Sequence, residues 1–199
     1  MADINGDGIP DVISISGFTI KTLLGNGNGA FRAGPTTTPG GQLIADVPID
    51  LNGDGKIDLI MATASGLGVL LGNGDGTFQP PVFYAGGSGY LAVGDFNGDG
   101  IPDVVTDDSS GVWLYIGKGG GVFNPGVLTP FPSGSSGDFP VVAADFNGDG
   151  ILDVATGLRL RRTVRLRRAL WQRQWDVPIV GISSVRVGTG MDGHRRPQP

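Results

Sequence analysis

The chain has no cysteine and no glutamate, and its one histidine, His194, lies close to the C-terminus. Without cysteine there are no disulfides and no thiolate metal sites, although the redox compartment stays open. Without glutamate every acidic residue is Asp, a short side chain suited to turns and loops more than to helices. With no Cys, no Glu and no His before residue 194, a Ser-His-Asp triad cannot be assembled from residues 1–157, and a glycosidase-type carboxylate pair would have to be two Asp. No apolar run approaches the roughly 18 residues that span a bilayer. No signal peptide is visible, because Met1-Ala2-Asp3 already enters the first motif. This favours a piece of a longer, exported protein over a cytosolic protein with an abrupt start.

What the chain has in excess is glycine, 37 of 199 residues, without the period of collagen. That composition calls for many tight turns. Charge is divided unevenly. Before Leu158 there are 17 Asp against Lys21, Arg32, Lys56 and Lys118, a net −13; from Leu158 onward ten Arg face two Asp, a net +8.

One string organises the acidic part. DINGDGIPD at 3–11 returns as DLNGDGKID at 50–58, DFNGDGIPD at 95–103 and DFNGDGILD at 145–153. In D-x-N-x-D-G-x-x-D, three side-chain oxygens at alternate positions gather as the backbone curls. Gly at 6 permits the turn, the carbonyl at 7 turns inward, and Asp at 9 closes the set. Calcium accepts about six to eight oxygens in flexible geometry and suits this set; magnesium demands tighter geometry, and zinc would want His or Cys. The expected Ca2+ ligands are therefore Asp3, Asn5, Asp7, Ile9 and Asp11; Asp50, Asn52, Asp54, Lys56 and Asp58; Asp95, Asn97, Asp99, Ile101 and Asp103; and Asp145, Asn147, Asp149, Ile151 and Asp153. An EF-hand is disfavoured: position 12 holds Ser14, Met61, Thr106 or Thr156 instead of Glu, and Val- and Ile-rich segments flank the loops. The plain alternative, that D-G and N-G only turn the chain, suits one such string better than four in register.

Between loops the pattern is of strands. Tyr90–Phe96 runs into the third loop, Asp103–Thr106 leaves it, and Val112–Ile116 follows the Ser109-Ser110-Gly111 turn. Val122–Thr129 carries an irregular fourth strand. Four short strands in some 45 residues, repeated, predict propeller blades. Glycine-rich hairpins close the third strand, with glycines supplying positive φ. Each is followed by an aromatic residue (Phe31, Phe78, Phe123) expected to anchor neighbouring sheets.

With V/A-x-x-D-F-N-G-D-G-x-x-D followed by L-L-G-N-G-x-G-x-F, residues 1 to about 157 resemble the FG-GAP (VCBS-type) repeats that also build the β-propeller of integrin α subunits. The resemblance implies an all-β fold of four-stranded antiparallel blades, each with a structural calcium loop joining its first two strands. It implies a role outside the cell or at its surface, in adhesion or in binding a protein or carbohydrate. Three complete units and the opening of a fourth give a partial propeller, not a closed ring, with open edges free to associate. The expected function is a calcium-binding, non-catalytic interaction module from a larger protein. The competing readings are a domain or fragment of a secreted hydrolase or lyase, or a truncated product without independent function. Asp46, Asp75, Asp107, Asp108 and Asp138 are the acidic residues outside the loops available to an enzyme. The pair Asp107-Asp108 is expected to be a solvated turn.

After Gly157 the pattern stops. Trp171–Pro178, back-translated and shifted by one base, permits Gly-Asn-Gly-Asn-Gly-Thr-Phe-Gln, nearly the turn at Gly72–Gln79. Gly188–Asp192, shifted by two bases, permits the start of another loop. Residues 158–199 are therefore read as a frameshifted, disordered or loosely packed tail. A basic arm for nucleic acid is the weaker explanation of its arginines, and no nucleic-acid partner is expected.

Overall fold

The computed structural model describes residues 2–132, 135–137, 139–160, 163–164 and 179–180. Asp138, His194 and nearly all of the arginine-rich tail, including both frame-shift segments, lie outside the described residues.

All named elements are strands. The first sheet holds β1 (Val12–Ser16), β2 (Thr19–Gly25) and β3 (Phe31–Thr37), in that order. The second is four-stranded: β4 (Leu43–Ile49), β5 (Asp58–Thr63), β6 (Gly66–Leu70) and β7 (Val82–Ala85). The third repeats it with β8 (Leu91–Gly94), β9 (Asp103–Asp107), β10 (Gly111–Tyr115) and β11 (Val127–Pro130). Neighbours in these three sheets are antiparallel. After the two-residue β12 (Ser135–Ser136), β13 (Val142–Ala144) and β14 (Asp153–Ala155) open a fourth unit. There the regularity ends: β12 pairs with β15 (Arg159–Leu160), which pairs with β16 (Thr163–Val164), while β17 (Ile179–Val180) lies parallel to β14. The sheets are open and form blades of a partial propeller. The fourth strand of the third unit starts at Val127, later than expected, because Phe123 is held in an isolated bridge to Gly117 at the hairpin base.

Blades pack face to face, so a middle strand is buried on both sides. Leu59, Ile60, Met61 and Ala62 on β5 are all buried, which explains their unbroken apolar run. Leu59 and Met61 join Ile20 and Leu70 toward the first sheet, while Ile60 joins Val69, Val104, Tyr115 and Phe123 toward the third. A third cluster (Phe96, Val105, Val112, Val141, Val154) joins the third and fourth units. Polar ties cross the same seams. Thr22 Oγ1 donates to the Gly76 carbonyl at 3.2 Å, and the Phe123 N–H donates to Tyr84 Oη at 3.1 Å.

The aromatic anchors follow the stacking. Phe123 is buried against the second sheet and Phe78 packs toward the first, but Phe31 is 46 % exposed, contrary to the expectation of an anchor in each unit. Each packs on the preceding sheet, and among the described residues none precedes the first. The apolar residue at loop position 2 does the converse. Leu51 and Phe96 are buried against the following unit, and Phe146 is 44 % exposed.

Gly25, Gly72 and Gly117 at the hairpin bases also differ from expectation. The positive φ angles belong to their neighbours, such as Gly27, Gly74 and Gly119. These three are glycine because a Cβ would stand 2.4, 2.1 and 2.3 Å from the carbonyl oxygens of Pro10, Ile57 and Pro102. Gly72→Ala must push the hairpin off the loop. The expected loss is about 2 kcal/mol, the scale of overpacking a tight contact, read from urea unfolding.

Candidate metal centre

Each nine-residue string is wound around its first Asp. In the third loop Asp95 Oδ1 accepts the Gly98 N–H at 2.7 Å and the Asp99 N–H at 3.2 Å, and Oδ2 accepts the Gly100 N–H at 2.8 Å. Asn97 Oδ1 accepts the Asp99 N–H, and Asp99 Oδ1 accepts the Ile101 N–H. The first and fourth loops repeat this around Asp3 and Asp145. Bonds from Gly100 and Gly150 hold the Asp95 and Asp145 carboxyls below the usual carboxylate range. An ionised carboxylate has about four acceptor sites, so the three N–H bonds at Asp3 and Asp145 leave capacity for a cation, whereas Asp95 also takes the Asn97 N–H at 3.3 Å, a long bond that a cation would have to displace or share.

The second loop has the same winding around Asp50, with Asp54 and Lys56 N–H groups bonded as in the others. It differs at Asp54 Oδ2. In the other three loops the Asn Nδ2 donates to this oxygen of the position-5 Asp, at 2.9–3.0 Å. Here Lys56 Nζ stands 3.6 Å from it. The backbone bond from Lys56, ahead of the Asn52 amide and the Lys56 charge, lowers the Asp54 pKa. A tethered ammonium competes with any bound cation for this oxygen. Lys56→Ile, restoring the residue at Ile9, Ile101 and Ile151, should tighten calcium at this loop a few-fold, measured by calorimetry at low salt where an exposed ion pair is least screened.

The position-9 residues turn inward. Asp11, Asp58, Asp103 and Asp153 are all 0 % exposed. Asp103 Oδ2 accepts the Phe96 N–H at 3.0 Å and Oδ1 the Gly117 N–H at 2.7 Å, tying the loop's second residue to the hairpin base of its own blade. Asp11 and Asp58 do the same with Ile4 and Gly25, and with Leu51 and Gly72. This explains why the glycine must come so close. Asp153 has the Phe146 N–H at 3.0 Å, but its other oxygen meets Asn147 Nδ2 at 3.4 Å. The residue 14 positions on, Arg167, lies outside the described residues. Burial pushes the carboxyls of Asp58, Asp103 and Asp153 up. The charges at positions 5 and 1 of the same loop push the same way (Asp54 and Asp50, Asp99 and Asp95, Asp149 and Asp145). In these three loops three carboxylates thus stand near enough to repel, and a divalent cation relieves such repulsion. Among the described residues no three acidic or histidine side chains are so placed as to hold an ion by themselves. The donor chemistry of the loops fits a hard cation only with the Asn oxygen and the position-7 carbonyl included.

The acidic residues outside the loops have other tasks. Asp107, expected in solvent, is fully buried and accepts the Tyr90 N–H at 2.9 Å; Asp108 is half-buried and accepts Trp113 Nε1–H at 2.8 Å. The pair sits at the end of β9 against the Gly86-Gly87 segment that follows β7, so the expected solvated turn is a packed polar seam. Tyr115 closes it, donating to the Gly86 carbonyl at 2.6 Å, with its pKa pushed up to about 12 by burial first and then by the Asp108 charge. Sequence reasoning missed this seam; its one signal was an acidic pair followed five residues later by Trp. Asp75 holds Thr77 in the exposed β6–β7 hairpin, and Asp46 stands on β4.

A family model described as FG-GAP-like repeat matches residues 50–106 and 95–156, together more than half of the chain. No curated protein matches it. Among solved structures, an Agrocybe aegerita lectin described by specific recognition of non-reducing terminal N-acetylglucosamine has a TM-score of 0.56 at 23% identity, covering 89% of this chain and 49% of that one. The chain therefore spans about half of the lectin's length, and the likeness bears on the fold alone. A Photorhabdus luminescens Tc holotoxin pore is similar over 82% of this chain and 8% of that one, with 21% identity and a TM-score of 0.47. No helix among the described residues is long and apolar enough to cross a membrane.

Proposed function

The chain belongs to the FG-GAP-like repeat family, and from that premise we propose that it is a calcium-stabilised, non-catalytic interaction module of an extracellular or cell-surface protein. One observation carries this reading. Four loops of the same donor sequence are wound alike around their first Asp, and in three of them the position-9 carboxyl is raised by burial first and then by the charges of its two acidic neighbours. Calcium is held by the side chains at positions 1, 3, 5 and 9 and the carbonyl at 7: Asp95, Asn97, Asp99, Asp103 and Ile101 in the third loop, and their counterparts in the other three. It supplies positive charge that fixes the loop at the blade rim; the chain's own residues supply the oxygens and the backbone bonds that pre-form the turn. The ligand is a protein or a carbohydrate. The lectin likeness favours testing terminal N-acetylglucosamine first.

Calorimetric titration with calcium tests the reading. Up to four equivalents per chain are expected, with magnesium far weaker because it dehydrates reluctantly. No heat and no retained calcium at millimolar concentration would reject it. Residues 158–199 are proposed to be a frameshifted continuation of the fourth unit; several independent reads of the gene with an uninterrupted frame would remove that explanation.

A further inference from the structure

Asn-Gly occurs seven times in the chain, four times at positions 3 and 4 of the loops and three times in hairpins. Each pair carries a reaction of its own. The glycine nitrogen can attack the side-chain carbonyl carbon of the Asn before it, which closes a succinimide ring. Glycine favours this because no Cβ obstructs the close approach. The nucleophile is a backbone nitrogen, so the step needs that N–H out of its hydrogen bonds. Asp-Gly closes the same ring by losing water.

In the loops these nitrogens are held. The first Asp accepts the N–H of the glycine after Asn at 2.7–2.8 Å in all four copies, at Gly6, Gly53, Gly98 and Gly148. Its other oxygen accepts the N–H of the glycine after the position-5 Asp at 2.8–2.9 Å. One carboxylate thus holds both ring-closing nitrogens of each string.

The pair Asn73-Gly74 is built differently. Its hairpin belongs to the second sheet, which has a described neighbour on each face. Asn73 is exposed all the same, and the Gly74 N–H has no acceptor among the described residues. The Asn73 N–H closes the hairpin on the Thr77 carbonyl at 3.0 Å and leaves the Gly74 nitrogen at the tip. One bond restrains the Asn73 side chain, from Nδ2 to Thr77 Oγ1 at 2.8 Å.

We propose that Asn73 is a site of spontaneous covalent modification, and that the first Asp of each loop shields the loop Asn residues from the same chemistry. The bond from Gly74 N to Asn73 Cγ forms, the Cγ–Nδ2 bond breaks, and the amide nitrogen leaves as ammonia with the Gly74 proton. Water then opens either ring carbonyl, giving aspartate or isoaspartate. Either product loses the donor to Thr77, because a carboxylate only accepts. Isoaspartate also adds a carbon to the main chain beside Gly72, already tight against the Ile57 carbonyl. The hairpin that takes the Thr22 bond across the seam to the first sheet is loosened with age. No metal takes part, so the inference is independent of calcium.

The test holds the full chain in excess chelator at mildly alkaline pH and physiological temperature, and follows each Asn by fragment sequencing in a mass spectrometer. Asn73 is expected to convert roughly tenfold or more faster than Asn52 and Asn97, since there an N–H bond to a charged acceptor must break first. In urea the three should react at similar rates. Asp95→Ala, which frees the Gly98 N–H, should speed Asn97 by a similar factor and leave Asn52 as it was. Asn97 converting as fast as Asn73 in the folded parent overturns the proposal. So does a lead of Asn73 that persists undiminished in urea, because flanking sequence and not the fold then sets the rate. A folded Asp95→Ala chain with Asn97 still inert overturns the shielding; should that variant not fold, the folded and urea arms of the parent still decide.

Discussion

Asp103→Ala is expected to destabilise the protein by about 4 kcal/mol, because it orphans two buried donors, the Phe96 and Gly117 N–H groups, at roughly 1–3 kcal/mol each with some loss of packing. That is a large share of the roughly 5–15 kcal/mol that holds a domain together. Asp103→Asn should recover only part of it, since the amide offers one oxygen and turns an NH2 toward the other N–H. Urea unfolding at neutral pH measures both. The loss should persist in chelator, where the carboxylate acts as a backbone pin alone, and grow in calcium, where the variant also loses a proposed ligand; a loss seen only with calcium would remove the pin. Acid changes the comparison. The folded carboxyl is raised, so the ionised form costs the fold something. The group's contribution is greatest below the ordinary carboxylate value and declines as pH rises through the folded value. In chelator the alanine variant should therefore look worst, relative to the parent, at a pH below the ordinary carboxylate value. Asp75→Ala, at the exposed β6–β7 hairpin, should leave stability almost unchanged.

Calcium removal is the second large effect. An ion that binds only the folded chain stabilises it by about 2.7 kcal/mol per site when present at a hundred times its Kd. Two filled loops would add about 5 kcal/mol, and for a chain of this size each kcal/mol moves Tm by about 2–4 °C. Thermal unfolding in millimolar calcium should lie some 10–20 °C above that in excess chelator. Asp95→Ala should remove one loop's share of that increment, because its carboxylate also gathers the Gly98, Asp99 and Gly100 N–H groups that shape the turn. Coincident curves in calcium and chelator would mean that the loops are held by their backbone bonds alone.

The legible part of this protein is local. The four strings, the strands that flank them and the hairpins after the third strand stood in the sequence because each is decided within about ten consecutive residues. Asp95 meets the N–H groups of residues three to five positions on, and nothing outside the loop is needed to put them there. The task of Asp103 was half legible: its place at position 9 was clear, but its partner Gly117 is 14 residues away across a β-strand. Gly72 was misread for the same reason. A tight turn and a close approach to another segment both demand glycine, and only the position of the Ile57 carbonyl separates them. Asp107-Asp108 reads as solvent-exposed until the second blade is laid against it.

The sequence alone determined the repeat, the winding of each loop and the blade as the unit of folding, since short-range hydrogen bonds and alternation of side chains do not depend on what lies next door. Tertiary structure alone decided which copies of a repeated residue are buried. Phe123 is in the core and Phe31 is in solvent, Phe96 is buried and Phe146 is not, and β5 is covered where β1 is half-bare. Burial is a property of a pair of surfaces, and a repeat carries only one of them.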